Sequence, residues 1–193
     1  MKTELKIMSQ MYHTMKIAGL ERHLPLCPLN ESLMIAGFVI FGDPELTTAC
    51  AKELLSKAPE YDYIITAEAK GIPLAHEISR LAGNQKYFVA RKYPKLYMTG
   101  VFESELRSIT TDKVQKLYLD TADAELIKGK RILIVDDVVS LGESLAAVEH
   151  LVKMAGGEVV GKMFILAEGN ACKRDDITYL EELPLFDNKG KQL

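Results

Sequence analysis

Two adjacent carboxylates, Asp136 and Asp137, stand directly after the apolar run Ile132–Val135 in the stretch RILIVDDVVSLGES. Such a run reads as a strand buried on both faces, and the strand is expected to end on the acid pair. Two acids at the end of a buried strand are destabilising unless something binds them. They suit hydrogen bonds from ribose hydroxyls or from metal-bound water. Next come Ser140, Leu141, Gly142, Glu143 and Ser144, which open a helix. Free N–H groups and the positive helix end project from such a start, and here two hydroxyls join them, a combination that cradles a phosphate. The alternative is plain N-capping by Ser140 or Ser144. The acid pair just upstream favours the anion site.

Positioning these groups requires strands that deliver them to one edge. FGDPELTTACAKELLSKA predicts a helix with Asp43 as N-cap, Pro44 at its first position and Leu46, Ala49, Cys50 and Leu54 as its buried stripe. YIITAE, KYFVARK, RILIVDD and EVVGKMFILAEG predict four core strands. IPLAHEISRLAG predicts a helix stopped by Gly83, and SLAAVEHLVKMAGG another stopped by Gly156-Gly157. This alternation predicts an α/β fold with a parallel sheet flanked by helices. Ligands then bind beyond the carboxyl ends of the strands. The strand ends carry Glu68-Ala69-Lys70-Gly71, Arg91-Lys92-Tyr93-Pro94-Lys95, Asp136-Asp137 and Glu168-Gly169-Asn170. Upstream, MIAGFVIF reads as a further strand, whereas LPLCPL, with two prolines, is excluded from a central strand or a helix interior. Between Tyr93 and Glu125, SIT and KLYL could pair as a short hairpin.

Composition narrows the function classes. Lys plus Arg is 24 and Asp plus Glu 27, a net charge of -3, which argues against a broad nucleic-acid-binding surface but not against a local cationic pocket. No apolar run approaches a membrane span, and the start has no signal core, so no membrane association is expected. Cys27, Cys50 and Cys172 form no C-x-x-C pair, which predicts reduced thiols and a cytoplasmic location. His13, His23, His76 and His150 lack metal-ligand spacing. GGEVVGK mimics a nucleotide P-loop, but Met163 follows it and it runs from helix into strand, the reverse of that motif.

ILIVDDVVSLGESL resembles the phosphoribosyl-pyrophosphate (PRPP) signature of type I phosphoribosyltransferases, in which four apolar residues precede Asp-Asp, two apolar residues and Ala-Thr-Gly-Gly-Thr. YDYIITAEAKGIPLA and FVARKYPKL resemble segments of the adenine and xanthine branches, and FGDPELTTACAKELL the helix before the first core strand, so that the resemblance covers roughly residues 24 to 186. It implies a small hood built from residues 1–42 and a C-terminal segment, 176–193, around a PRPP-binding core, 43–175, with a mobile loop at about 93–125. It implies transfer of ribose 5-phosphate from PRPP to a purine, adenine first, with Mg²⁺ held mainly by the substrate and by no direct protein ligand. A homodimer is expected by resemblance. Asp136 and Asp137 would face the ribose hydroxyls as the catalytic pair. Ser140, Leu141, Gly142, Glu143 and Ser144 would hold the 5-phosphate, and Glu68, Ala69, Lys70, Gly71, Arg91 and Lys95 would line the pyrophosphate site. The peptide bond before Ala69 is expected to be cis. Phe38 and Phe41 are candidates for a purine-stacking wall, the alternative being packing in the hood core.

Three departures stand out. Leu141 occupies a Thr position and Glu143 a Gly position of the family pattern. The acid that adenine-specific relatives carry in the mobile loop has Asp112 as its nearest counterpart by position. Two further readings therefore accompany adenine transfer: the same chemistry on xanthine or guanine, and a regulator that binds PRPP without turnover.

Overall fold

The computed structural model describes residues 11–84, 86–107 and 114–193. In chain order, strands β1 (Tyr12–Ile17), β2 (Leu20–Pro28) and β3 (Leu33–Ala36) precede helix α1 (Pro44–Lys57). Strand β4 (Tyr63–Ala67), helix α2 (Ile72–Ala82) and strand β5 (Tyr87–Ala90) follow. A hairpin of β6 (Val101–Arg107) and β7 (Val114–Asp120) leads to helix α3 (Thr121–Ile127), strand β8 (Arg131–Val139) and helix α4 (Glu143–Met154). Strand β9 (Glu158–Glu168), a 3-10 turn (Gly169–Lys173) and strands β10 (Thr178–Leu183) and β11 (Leu185–Asp187) complete the described fold.

The core is a five-stranded parallel sheet in the order β10-β9-β8-β4-β5. The apolar run of β8 serves both faces by alternation. Leu133 and Val135 pack with Leu46, Leu54, Leu74 and Ile78 of α1 and α2, while Ile132 and Ile134 pack with Leu145, Val148 and Leu151 of α4 and with Leu119 of the hairpin. A second, antiparallel sheet, β1-β2-β3-β11, forms the hood.

Four expectations are corrected. Residues Leu24–Pro28 do lie in a central strand, β2. The two prolines are tolerated because pairing is staggered there: β1 begins with Tyr12 opposite Pro25, and β3 pairs only with Leu26, Cys27 and Pro28. Strand β3 stops at Ala36, and after Gly37, whose N–H still donates to Pro25 O at 2.8 Å, Phe38–Phe41 leave the sheet with Phe38 and Ile40 turned into the core. Strand β8 does not end on the acid pair but continues through Val139, still paired with β9. The segment 176–193 is divided, since β10 extends the core sheet beside β9 and only β11 pairs with the hood, against β3. The hairpin uses longer strands than expected; Ser108, Ile109 and Thr110, like Asp112, lie outside the described residues.

Hood and core are tied by Arg22 of β2, which bonds Asp43 (2.6 Å) and Glu45 (2.8 Å) at the start of α1. Asp43 also caps that helix by accepting from Leu46 N at 3.0 Å. The Arg22 guanidinium holds the Asp43 carboxyl below its ordinary value of 3.8 despite partial burial. A lowered carboxyl pKa contributes stability above the unfolded-state value and loses it as pH falls. Asp43→Ala should therefore cost about 1–2 kcal/mol at neutral pH, read by urea denaturation, and the difference should shrink as the pH falls below 3.8.

Candidate active site

The carboxyl ends of β4, β5, β8 and β9 bring the charged groups together. After β4 the chain turns through a cis Glu68–Ala69 peptide, as expected. Lys70 then reaches β8, placing Nζ 2.8 Å from Asp137 Oδ2. Gly71 starts α2 so close to β8 that a Cβ there would overlap Thr66 Oγ1 and Asp136 Oδ1. Only a residue without a side chain permits this approach, so the turn and the acid pair form one packed unit.

Asp137 is 4% exposed, and its N–H donates to Asp136 Oδ1 at 2.9 Å. Burial, and then the neighbouring Asp137 charge, push the Asp136 carboxyl well above its ordinary 3.8. Glu68 behaves in the opposite way. Burial pushes its carboxyl up, but the Lys92 N–H at 3.0 Å, Lys95 Nζ at 3.4 Å and Arg91 Nη1 at 3.3 Å outweigh that and lower it. Arg91 and Lys95 thus converge on the turn where an anion would meet them. The hairpin joins this edge, because Arg91 and Tyr118 exchange backbone hydrogen bonds at 2.9 Å.

Beyond β8, Gly142 is the N-cap of α4 in the left-handed conformation (φ +77), with no side-chain cap bond. Neither Ser140 nor Ser144 caps the helix, so the plain capping alternative is excluded. Ser140 lies instead near Glu168 at the end of β9, whose carboxyl it helps to hold down against burial. The Glu143 carboxylate lies 3.5 Å from Gln115 Nε2 on β7, and Leu141 is 80% exposed. Two adjoining cavities of about 230 and 720 Å³ share Gln115, Asp136, Val138 and Ser144 and open onto the loop and onto the Glu68–Lys70 turn. The arrangement can hold a terminal phosphate at the start of α4, a polyol at the acids and a second anionic group at the turn.

A third cavity, of about 640 Å³, lies between the hood and the β9–β10 edge, lined among others by His13, Gly169, Cys172, Leu183 and Leu185. Phe38 is buried in the core cluster beneath the hood and Phe41 is half exposed; neither lines any of these three cavities. Alternation explains Phe38, since it and Ile40 face inward once β3 has ended. Sequence reasoning assigned no role to Gln115, which sits in a polar stretch without a motif. It marked Glu168 only as a strand end.

A parallel sheet with an acid pair and an uncapped helix start at its carboxyl edge, under an antiparallel hood, defines the type I phosphoribosyltransferase fold. The sequence matches the phosphoribosyl transferase domain over residues 45–190, and the chain belongs to that family. It is 34% identical to a hypoxanthine/guanine phosphoribosyltransferase of Methanocella arvoryzae over 114 residues, 59% of this chain and 56% of that protein. It is 27% identical to an adenine phosphoribosyltransferase of Mycoplasma mycoides subsp. mycoides over 131 residues, 68% of each chain. The fold is shared with the adenine phosphoribosyltransferase of Thermoanaerobacter pseudethanolicus (TM-score 0.66, 20% identity, covering 83% of this chain and 95% of that one).

A raised acid pKa means that apo stability falls as pH rises from the ordinary aspartate value through the folded one. Asp136→Asn should therefore raise the Tm of the ligand-free protein at mildly alkaline pH and leave it unchanged near pH 4, in paired thermal melts. Gly71→Ala should destabilise by about 1–3 kcal/mol through overpacking, seen in the same melts.

Proposed function

We propose that this chain transfers ribose 5-phosphate from PRPP to a purine base, adenine first, releasing pyrophosphate. The observation that carries the reading is the acid pair, Asp137 buried and Asp136 half-buried, beside a helix start with no side-chain cap. Asp136 and Asp137 would accept the ribose hydroxyls, Ser140–Ser144 would hold the 5-phosphate, and Lys70, Arg91 and Lys95 would offset the pyrophosphate charge. The Glu68 pairing of Arg91 and Lys95 keeps both cations at the turn until an anion competes for them.

Positive charge and fixed N–H groups placed around both ends of the donor favour a transition state in which the anomeric carbon becomes cationic and the leaving group anionic. Asp137 is already paired with Lys70, which suits a Mg²⁺ carried in by the donor. When bound, Mg²⁺ would supply charge neutralisation at the leaving pyrophosphate. The 640 Å³ cavity is large enough for the base.

A second reading, the same transfer to a 6-oxopurine, is favoured by the identity with the Methanocella protein. A cytoplasmic homodimer completes the proposal; sedimentation should give twice the chain mass.

The test is an ultraviolet assay with PRPP, Mg²⁺ and adenine, hypoxanthine, guanine or xanthine in turn. Turnover of adenine alone is expected. Donor binding without turnover on any base would sink the enzyme reading in favour of a sensor. Asp137→Asn should lower kcat by about 100-fold with the fold intact. Leu141→Thr should lower the KM for PRPP about threefold by adding a phosphate-binding hydroxyl.

A further inference from the structure

The acid pair, the phosphate loop and the cationic turn leave one requirement of the reaction unmet: a ring N–H of the base must lose its proton as the new bond forms. Glu168 is the carboxylate placed to take it. It closes β9 at the carboxyl edge of the sheet, in register with Leu183 of β10. Its carboxylate lies near enough to Ser140, in the phosphate loop, and to Lys70, which grips Asp137, to feel both. The next residue, Gly169, lines the hood cavity. Glu168 therefore stands between the phosphate loop and the cavity against the hood that its neighbour Gly169 lines, with its side chain partly buried.

Resting on the transferase reading above, we propose that Glu168 is the general base toward the acceptor, a catalytic residue that meets the ring N–H of a base held in the hood cavity. As the ring nitrogen bonds to the anomeric carbon, the carbon–oxygen bond to pyrophosphate breaks and pyrophosphate keeps its electron pair. The N–H bonding pair stays on the ring, and the proton passes to the Glu168 carboxylate. Among the described residues, Lys70 from the β4–α2 turn, Ser140 from the end of β8, and Cys172 from the 3-10 turn interact with that carboxylate. Burial raises the Glu168 pKa more than Ser140 and Lys70 lower it, which brings the base nearer to working pH, where general bases are most effective. A base must be deprotonated to act, so the rate falls as pH drops through that pKa.

The experiment compares wild type, Glu168→Gln and Glu168→Ala with PRPP, Mg²⁺ and the base that wild type accepts, following kcat, both KM values and the pH profile of kcat. Glu168→Gln should lose about 100-fold in kcat with KM for PRPP within about threefold, and the acid limb of the profile should disappear. Glu168→Ala should regain activity with added formate. An unchanged kcat, an unchanged acid limb, a rise in KM alone, or a folded alanine variant that formate does not rescue would each overturn the assignment. If glutamine prevents folding, which thermal melts report, the alanine–formate arm decides alone; if both variants unfold, Glu168 is structural and the assignment fails. Wild type inactive on every base would instead overturn the transferase reading itself.

Discussion

The carboxylate pair within β8, Asp137 buried and Asp136 half-buried, is the constraint around which this molecule is arranged. Two adjacent acids in a low-dielectric setting repel each other and lose hydration, and each neighbour answers that problem. Lys70 supplies the nearest charge, the Asp137 N–H caps one oxygen of Asp136, and Gly71 removes the side chain that would hold the turn away. The ligand-free protein leaves Asp136 biased toward its neutral form. A ligand that brings hydroxyl donors and cationic compensation to this place relieves a cost that folding alone leaves standing. The site is thus less stable than its surroundings by construction, as functional sites commonly are.

Around this pair the charges are grouped so that each is provisionally satisfied. Glu68 occupies Arg91 and Lys95, Glu168 lies near Ser140, and Gln115 lies against Glu143. Provisional pairing keeps the cleft from being a collection of unpaired buried charges, which would be far more destabilising. The last contact also accounts for a carboxylate beside a phosphate loop: Glu143 is turned toward β7 of the hairpin rather than left to face the cradle.

Much of the core was legible in the sequence because its signals are local. Asp43 and Pro44 announce α1, Gly83 ends α2, and the uninterrupted apolar run of β8 reports burial on both faces. The acid pair and the small-residue loop were legible for the same reason. What could not be read was non-local. Whether Pro25 and Pro28 break a strand depends on where its neighbours start and stop, and that is set by β1 and β3. Whether β10 belongs to the core or the hood depends on which edge is vacant, not on its alternating pattern. Glu168 gains meaning only from Ser140 and Lys70, which reach it from other strands. Phe38 looked like a ligand contact because an aromatic residue carries no mark of which way it faces.

The single residue between β10 and β11, Pro184, has a wider consequence. On one side of it the chain is locked into the parallel sheet, and on the other it is the edge strand of the hood. On the neighbouring strand the short link from β3 to α1, clamped by Arg22, does the same, since Ile35 of β3 pairs with Leu185 of β11. Two adjoining links, braced by the Arg22 ion pairs, hold the hood to the core more firmly than a single strand would. The volume above Gly169 is therefore framed by covalent connectivity. Enlarging it for a bulkier guest is then a matter of changing what lines its walls.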